Sequence, residues 1–214
     1  MCRQCELKPV YEFTNKRKLC GNCFVRYFQK KVFYTLRKFR MTSQGKSIAY
    51  KNNYDFRDAV LEDILKMLSR KSMNEIVNIP SIENSNNYST NSQEFSKGQF
   101  RETGKSINKI IHKRKTDKIA LSSTIDSEAG QMISILISQD AKSLEELAPV
   151  WKNIIRPLYL FLDEEVLLYA KLRKLKFKEK KIKKDKISGF ISELEKSHPE
   201  VKHAIVNSYL KMYL

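Results

Sequence analysis

The segment Cys2-Arg3-Gln4-Cys5, followed after fourteen residues by Cys20-Gly21-Asn22-Cys23, contains all four cysteines of the 214-residue chain. Thiolates in two Cys-x2-Cys pairs can enclose a tetrahedral zinc ion and leave no coordination position open. The alternative is a set of free thiols or two disulfides, but nothing resembling a secretory signal precedes Cys2 and no cysteine lies elsewhere in the sequence, which favours a metal site. We therefore predict a structural zinc site at Cys2, Cys5, Cys20 and Cys23.

A basic helix is expected directly after the second cysteine pair. Apolar side chains recur there at helical spacing and form one stripe: Phe24, Phe28, Val32, Leu36 and Phe39. Basic side chains cover much of the remaining surface, and we predict that they bind RNA: Arg26, Lys30, Lys31, Arg37 and Lys38. The alternative is an amphipathic helix whose charges are only solvated; the lack of interspersed acidic residues favours RNA binding.

Positive charge is concentrated in two stretches of a chain with a net charge of +17. Residues 1–46 hold twelve basic and two acidic side chains, and Lys171–Lys186 holds ten basic and two acidic ones. In the second stretch we predict phosphate contacts from four lysines: Lys180, Lys181, Lys183 and Lys184. Such charge favours a polyanionic partner, because neutralised phosphates release counterions. A ribosome or a membrane surface would also accept it.

Targeting and membrane signals are not evident in the sequence. No apolar run reaches membrane-spanning length, and the N-terminus shows neither the apolar core of a signal peptide nor a transit-peptide pattern. We therefore expect a cytoplasmic protein with no membrane partner.

Strands alternate with helices after the basic helix, which predicts an α/β domain with a mainly parallel sheet. Predicted strands are Ser47–Tyr50, Glu75–Pro80, Lys118–Leu121 and one within Trp151–Arg156, besides a short strand at Pro9–Phe13 among the cysteines. An Asn/Ser-rich segment, residues 81–104, has no periodicity and is expected to be a flexible loop.

Helices are expected between and after these strands. One runs over Ala59–Leu68 with Asp58 as its N-cap, and another follows Asp126 or Ser127 as a cap. A short one is suggested by Ile107, Ile110 and Ile111. A helix beginning at Asp163 would bury Leu168, Leu172 and Leu175. The last two, divided at Pro199, would rest on apolar sets that include Ile187, Phe190, Ile191 and Leu194 in the first, and Val201, Ile205 and Met212 in the second.

The order of several segments resembles the cytoplasmic tRNA 2-thiolation proteins of the PP-loop superfamily. These segments are LCGNCFVRYFQKKVFYTLRKFRM, TDKIALSSTIDSEA, NIIRPLYLFLDEEVLLYAKLRKLKF and FISELEKSHPEVKHAIVNSYLKM. The resemblance implies a zinc-ribbon module over residues 1–41 and a trimmed PP-loop (adenine nucleotide alpha hydrolase-like) domain over 46–214. It also implies thiolation of the wobble uridine (U34) in tRNA, a catalytic PP-loop paralogue as partner, and a ubiquitin-like sulfur carrier.

The chain departs from this family where catalysis would occur. Active members have a Ser-Gly-Gly-x-Asp-Ser loop whose backbone N–H groups bind phosphate, whereas the slot between Tyr50 and Ala59 reads KNNYDFRD. Ser122 and Ser123 replace a Gly-His pair, and no cysteine follows Cys23 to handle sulfur. The resemblance therefore points to the degenerate second subunit, which binds tRNA and is not an enzyme on its own. A diverged ATP-dependent tRNA sulfurtransferase and a zinc-ribbon nucleic-acid-binding protein remain as alternatives.

Overall fold

A five-stranded sheet forms the centre of the molecule, for which a computed structural model describes residues 1–79, 116–178 and 186–213. Its strands are β3 (Ser47–Lys51), β4 (Glu75–Ile79), β5 (Lys118–Ala120), β6 (Val150–Trp151) and β7 (Ile154–Ile155). They lie in the order β4-β3-β5-β7-β6, and every neighbouring pair is parallel except the antiparallel β6–β7 hairpin. The predicted α/β class with a mainly parallel sheet is confirmed.

Seven α-helices surround this sheet in the described residues. They are α1 (Gly21–Lys38), α2 (Phe56–Ser72), α3 (Ile125–Ile137), α4 (Ala141–Leu144), α5 (Asp163–Leu172), α6 (Lys186–Ser197) and α7 (Val201–Tyr213). A 3-10 turn, Glu145–Leu147, follows α4. The N-terminal hairpin pairs β1 (Tyr11–Glu12) with β2 (Lys18–Leu19), so the strand predicted at Pro9–Phe13 is present but shorter.

The larger hydrophobic core joins the cysteine segment to the α/β domain. Phe24, Phe28 and Val32 of α1 are fully buried in one cluster with residues of β3, α2 and α5. The Phe28 ring lies 4.2 Å from the Tyr169 ring and 4.3 Å from the Phe161 ring, measured between centroids. The predicted segments 1–41 and 46–214 therefore share their main packing contacts. A second core lies between α3, α4 and α7.

Two helix caps differ from those predicted. Helix α2 begins one turn earlier, with Asp55 as its N-cap, because the Asp58 carboxylate accepts hydrogen bonds from the Asn53 N–H and the Ser122 hydroxyl. Helix α3 has Thr124 as its N-cap, so the prediction of Asp126 or Ser127 is wrong. Ser127 lies in the first turn, and its hydroxyl oxygen accepts a hydrogen bond from the Thr124 N–H at 2.8 Å.

The buried faces of the C-terminal helices also differ. Helix α5 buries Val166, Tyr169 and Ala170 fully, and the predicted leucines at 168, 172 and 175 pack only partly against the core. Phe190 and Met212, predicted to be internal, are 55% and 70% exposed. Of the predicted set Ile191 is buried, as expected, and the last helix buries Val206 and Tyr209, which were not predicted. The predicted loop at 81–104 and the helix suggested around Ile107–Ile111 lie outside the described residues.

Candidate metal centre and basic groove

The four cysteines meet at the N-terminus of α1, as their spacing predicts. Cys20 is the N-cap of α1, Cys23 lies in its first turn, and the β1–β2 hairpin returns the chain so that Cys2 and Cys5 approach them. All four Sγ atoms lie within 4.8 Å of one another. The Cys5 Sγ is 3.3 Å from that of Cys20 and 3.5 Å from that of Cys23. Cys5 alone of the four is exposed.

Backbone hydrogen bonds already favour thiolates at two of these positions. The Gln4 N–H, 3.5 Å from Cys2 Sγ, lowers the pKa of Cys2 to about 6. A backbone hydrogen bond from Cys23 is the main cause that lowers the pKa of Cys20. The hydrogen bond to Cys5 and burial raise the pKa of Cys23 to about 12, so this thiol would need a cation to lose its proton near neutral pH.

The sulfur positions fit one four-coordinate ion. A tetrahedral site with metal–sulfur bonds of about 2.3 Å separates its ligands by about 3.8 Å. The observed separations begin at 3.3 Å and stay within 4.8 Å, so only small side-chain rotations are needed. The cluster can therefore hold a metal ion.

Most of the basic side chains predicted on α1 are on its solvent side. At about 100° per residue, Arg26, Lys30 and Arg37 are roughly 160–200° around the helix from Phe28. These three and Lys38 are exposed. The lysines predicted to bind RNA at 180, 181, 183 and 184 lie outside the described residues.

Lys31 is the exception on α1, and its assignment to the RNA-binding surface is not supported by its position. Its Nζ lies 3.3 Å from the Glu165 Oε2, and the side chain is 21% exposed. Burial lowers the pKa of Lys31 against the opposing effect of Glu165. The reason is its position about 60° from Phe28, at the edge of the apolar stripe. Lys31 therefore connects α1 to α5.

A groove of about 980 Å³ lies between two walls. The outer side of α1 forms one wall, and the last turns of α2 with residues 42–44 form the other. Five of its residues are basic: Arg26, Lys30, Arg37, Arg40 and Lys71. None of the described residues lining it is acidic, and two are aromatic, Phe33 and Tyr34. Arg40 and Lys71 were not predicted as site residues, since Arg40 follows the expected helix and Lys71 belongs to a helix whose pattern indicates only packing.

The carboxyl ends of β3 and β5 are closed by the protein's own side chains. Within the loop after β3, the Asn53 N–H donates to Asp58 Oδ2 at 2.9 Å and the Tyr54 N–H to Asn52 Oδ1 at 2.7 Å. The Ser122 hydroxyl, after β5, donates to Asp58 Oδ1 at 2.5 Å. Tyr54 adopts a φ of 62°, a left-handed conformation that favours glycine. Backbone donors that could bind phosphate are thus directed at internal acceptors.

Four helix N-termini are tied together beside this loop. Arg57 of α2 forms an ion pair with Asp163 of α5, whose Oδ1 also accepts from the Thr124 hydroxyl at 2.7 Å. The Asp163 N–H donates to Asp126 Oδ2 of α3 at 2.7 Å. Lys202 of α7 completes the network, with its Nζ 2.7 Å from Asp126 Oδ1.

The fold and the cysteine cluster together define an α/β protein with a mainly parallel sheet and an N-terminal segment whose four cysteines can hold a metal ion. No protein-family model and no curated protein sequence matches the chain significantly. Among solved structures it is similar to the U34-tRNA thiolase NcsA from Methanococcus maripaludis, determined with its [4Fe-4S] cluster. That match has a TM-score of 0.76 at 19% identity and covers 99% of this chain and 86% of the other. At this identity the similarity shows the fold.

Among residues 1–79, 116–178 and 186–213, none of the helices combines the length and apolar character that crossing a membrane requires.

Proposed function

We propose that this chain is a cytoplasmic tRNA-binding subunit of a complex that 2-thiolates the wobble uridine of tRNA, and that it is not catalytic on its own. Its partners would be an intact PP-loop paralogue and a ubiquitin-like sulfur carrier. The fold shared with a U34-tRNA thiolase supports this reaction class. The observation that carries the proposal is the basic groove, because a polyanion is the ligand that such a surface selects.

The non-catalytic role rests on the loop after β3. A PP-loop binds phosphate through backbone N–H groups that glycines leave accessible. Here the Asn53 and Tyr54 N–H groups donate to side chains, and the acceptor of the Asn53 N–H is the Asp58 carboxylate, whose negative charge disfavours a phosphate bound beside it. An anion would therefore have to displace two hydrogen bonds and meet a buried carboxylate.

Zinc is the metal that we propose for the cysteine cluster. In a [4Fe-4S] cluster each cysteine binds a different iron, so the thiolates stand farther apart than four that share one ion. The separations within 4.8 Å fit the single ion better. The chain has four cysteines in total, so no second set exists in the α/β domain to hold a cluster there.

Salt dependence of tRNA binding tests the proposal. The double variant Lys30→Glu/Arg37→Glu should weaken binding and flatten the log–log salt dependence by about one unit for each phosphate that is no longer neutralised. Lys142→Glu/Lys196→Glu is the matched control, since it changes the net charge equally at exposed positions on α4 and α6. Equal slopes for both double variants would mean that the groove is only a solvated surface and does not bind RNA, and absence of tRNA binding by the wild type would reject the RNA-binding function.

A further inference from the structure

We propose that the groove between α1 and α2 binds an unpaired RNA segment, with one base stacked on Tyr34 and its flanking phosphates on the surrounding cations. The inference rests on the proposed RNA-binding function and specifies the kind of RNA recognised. Stacking on Tyr34 differs from the salt-dependent attraction between the cations and phosphates, because stacking requires a planar base that is not paired within an RNA helix.

Tyr34 is placed as a stacking platform. Its side chain is 54% exposed on the outer side of α1 and lines the groove. Lys30 lies four residues before it and Arg37 three residues after it, so both cations neighbour the ring on the helix surface. A ring between two phosphate-binding side chains is the arrangement with which proteins hold single-stranded nucleic acid.

The opposite wall of the groove extends this pattern. The Lys71 Nζ lies 4.1 Å from the centre of the Phe33 ring, which holds the lysine at the mouth of the groove. Two uncharged polar side chains in the lining can hydrogen-bond base edges, Ser43 and Gln44. Gln29 and Thr42 also line the groove, but the Gln29 amide donates to the Tyr169 hydroxyl, and the Thr42 hydroxyl donates to the Ser43 carbonyl oxygen and accepts from Asn74. An unpaired base offers its Watson–Crick edge to such groups, whereas pairing occupies that edge.

The size of the groove also favours a short segment. Its volume of about 980 Å³ lies at the upper end of the range for small-ligand sites, about 300–1,000 Å³. That space accommodates a few nucleotides with splayed bases. An acidic peptide would match the five cations equally well, but it would give Tyr34 no planar group to stack against.

Two RNAs with the same number of phosphates separate stacking from charge: a stem-loop with an unpaired loop, and a blunt duplex. Tyr34→Ala should weaken stem-loop binding by about tenfold, the usual loss for one base–aromatic stack, and leave duplex binding and the salt slope unchanged. Tyr34→Phe keeps the ring and should bind like the wild type. A fluorescent base analogue in the loop should be quenched by the wild type and not by Tyr34→Ala.

The outcomes distinguish this inference from the function on which it rests. If the wild type binds both RNAs and Tyr34→Ala binds the stem-loop as well as Tyr34→Phe does, the stacking site is wrong while RNA binding stands. Equal competition by poly-glutamate of matched charge would overturn the inference in favour of an acidic protein partner. If neither RNA binds, the proposed function itself fails. Because Tyr34 is exposed, the alanine variant should keep the wild-type unfolding temperature.

Discussion

Arg156 is an arginine with almost no access to solvent. It is 1% exposed, as is its ion-pair partner Glu128 on α3, with 3.2 Å between Arg156 Nε and Glu128 Oε1. Its two terminal nitrogens donate to the carbonyl oxygens of Ala148 and Glu146 at 2.6 and 2.7 Å. One guanidinium thus neutralises a buried carboxylate and fixes the chain ahead of β6.

Removal of this guanidinium should destabilise the protein strongly. Arg156→Met leaves Glu128 unpaired in the core, and loss of one member of a buried pair costs about 3–5 kcal/mol. The double variant Glu128→Gln/Arg156→Met should recover part of this, since no charge remains buried. Urea unfolding of both, with the exposed Lys142→Met as control, measures the difference. If single and double variants are equally unstable, the hydrogen bonds to the carbonyl groups and not the ion pair dominate.

The pH dependence of Arg156→Met follows from the same burial. Desolvation already raises the pKa of Glu128 above its ordinary value of 4.5. A carboxyl with a raised pKa binds its proton more tightly in the folded state, so its contribution to stability is lost as pH rises. The unfolding free energy of Arg156→Met should therefore rise as pH falls towards 4.5, and the variant that also carries Glu128→Gln should lack this rise because it has no carboxyl to protonate there.

Single residues show where the sequence predicts the site and where it does not. Lys30 and Lys31 are chemically identical neighbours, but Lys30 faces solvent and Lys31 pairs with Glu165. Helical periodicity orients both relative to Phe28. The partner of Lys31 is Glu165 on α5, which lies far along the chain, so only the folded structure shows this ion pair. Its assignment to the RNA-binding surface therefore could not be tested from the sequence.

At the scale of elements, α1 connects the cysteine cluster to the groove. Its 18 residues extend over about 27 Å, with Cys20 and Cys23 at one end and Arg37 at the other. The side between them packs on α5 through Phe28 and Lys31. A metal ion at the N-terminus would thus hold the beginning of a helix that belongs to the main core.

Loss of the metal should affect the whole protein. Cys20→Ser should release the zinc, and because Leu19 and Phe24 share a core with Ile48 and Tyr169, it should lower the unfolding temperature of the entire chain. The exposed Asn22→Ser, in the same turn, is the control. Elemental analysis and calorimetry check both effects. Iron in place of zinc would refute the metal assignment, and unaltered unfolding without metal would refute the coupling.

Element positions were easier to predict than element ends. Apolar runs such as Ser47–Tyr50 and Lys118–Leu121 correspond to real strands because the sheet is covered on both faces. Helix starts were misplaced where several capping residues compete. Thr124, Asp126 and Ser127 can each cap a helix, and the choice depends on Asp163, which accepts the Thr124 hydroxyl from another part of the chain.

For the whole molecule, the strand order explains the location of the loop after β3. Strand β4 lies beside one edge of β3, and β5 lies beside its other edge, so the strand order reverses between β3 and β5. Open α/β sheets bind ligands outside the carboxyl ends of their strands at such a reversal. Here that position is bridged by Asp58, which accepts from Asn53 after β3 and Ser122 after β5.

Composition alone predicts the charge of the groove but not its shape. The charge of residues 1–46 predicts an anionic partner, but a groove needs a second wall, and α2 provides it through Lys71. The missing glycines of KNNYDFRD likewise predict weak phosphate binding, whereas the internal bonds that occupy the loop became visible only in the fold.

Nucleotide binding by the isolated chain should be absent. Calorimetric titration with ATP at millimolar concentration should detect no binding, and the isolated chain should release no pyrophosphate, because the donors after β3 are already engaged and Asp58 repels phosphate.

The proposed catalytic paralogue should co-purify with this chain. In that complex Asp55→Ser keeps a residue type that is favoured at the N-cap of α2, and it should leave tRNA thiolation nearly unchanged. Lys30→Glu/Arg37→Glu in the same complex should reduce thiolation through weaker tRNA binding. Asp58 is unsuitable for this comparison, since it is buried and its loss would disturb the fold. ATP binding by the isolated chain, or a large loss of activity in a folded Asp55→Ser complex, would show that this subunit takes part in the chemistry.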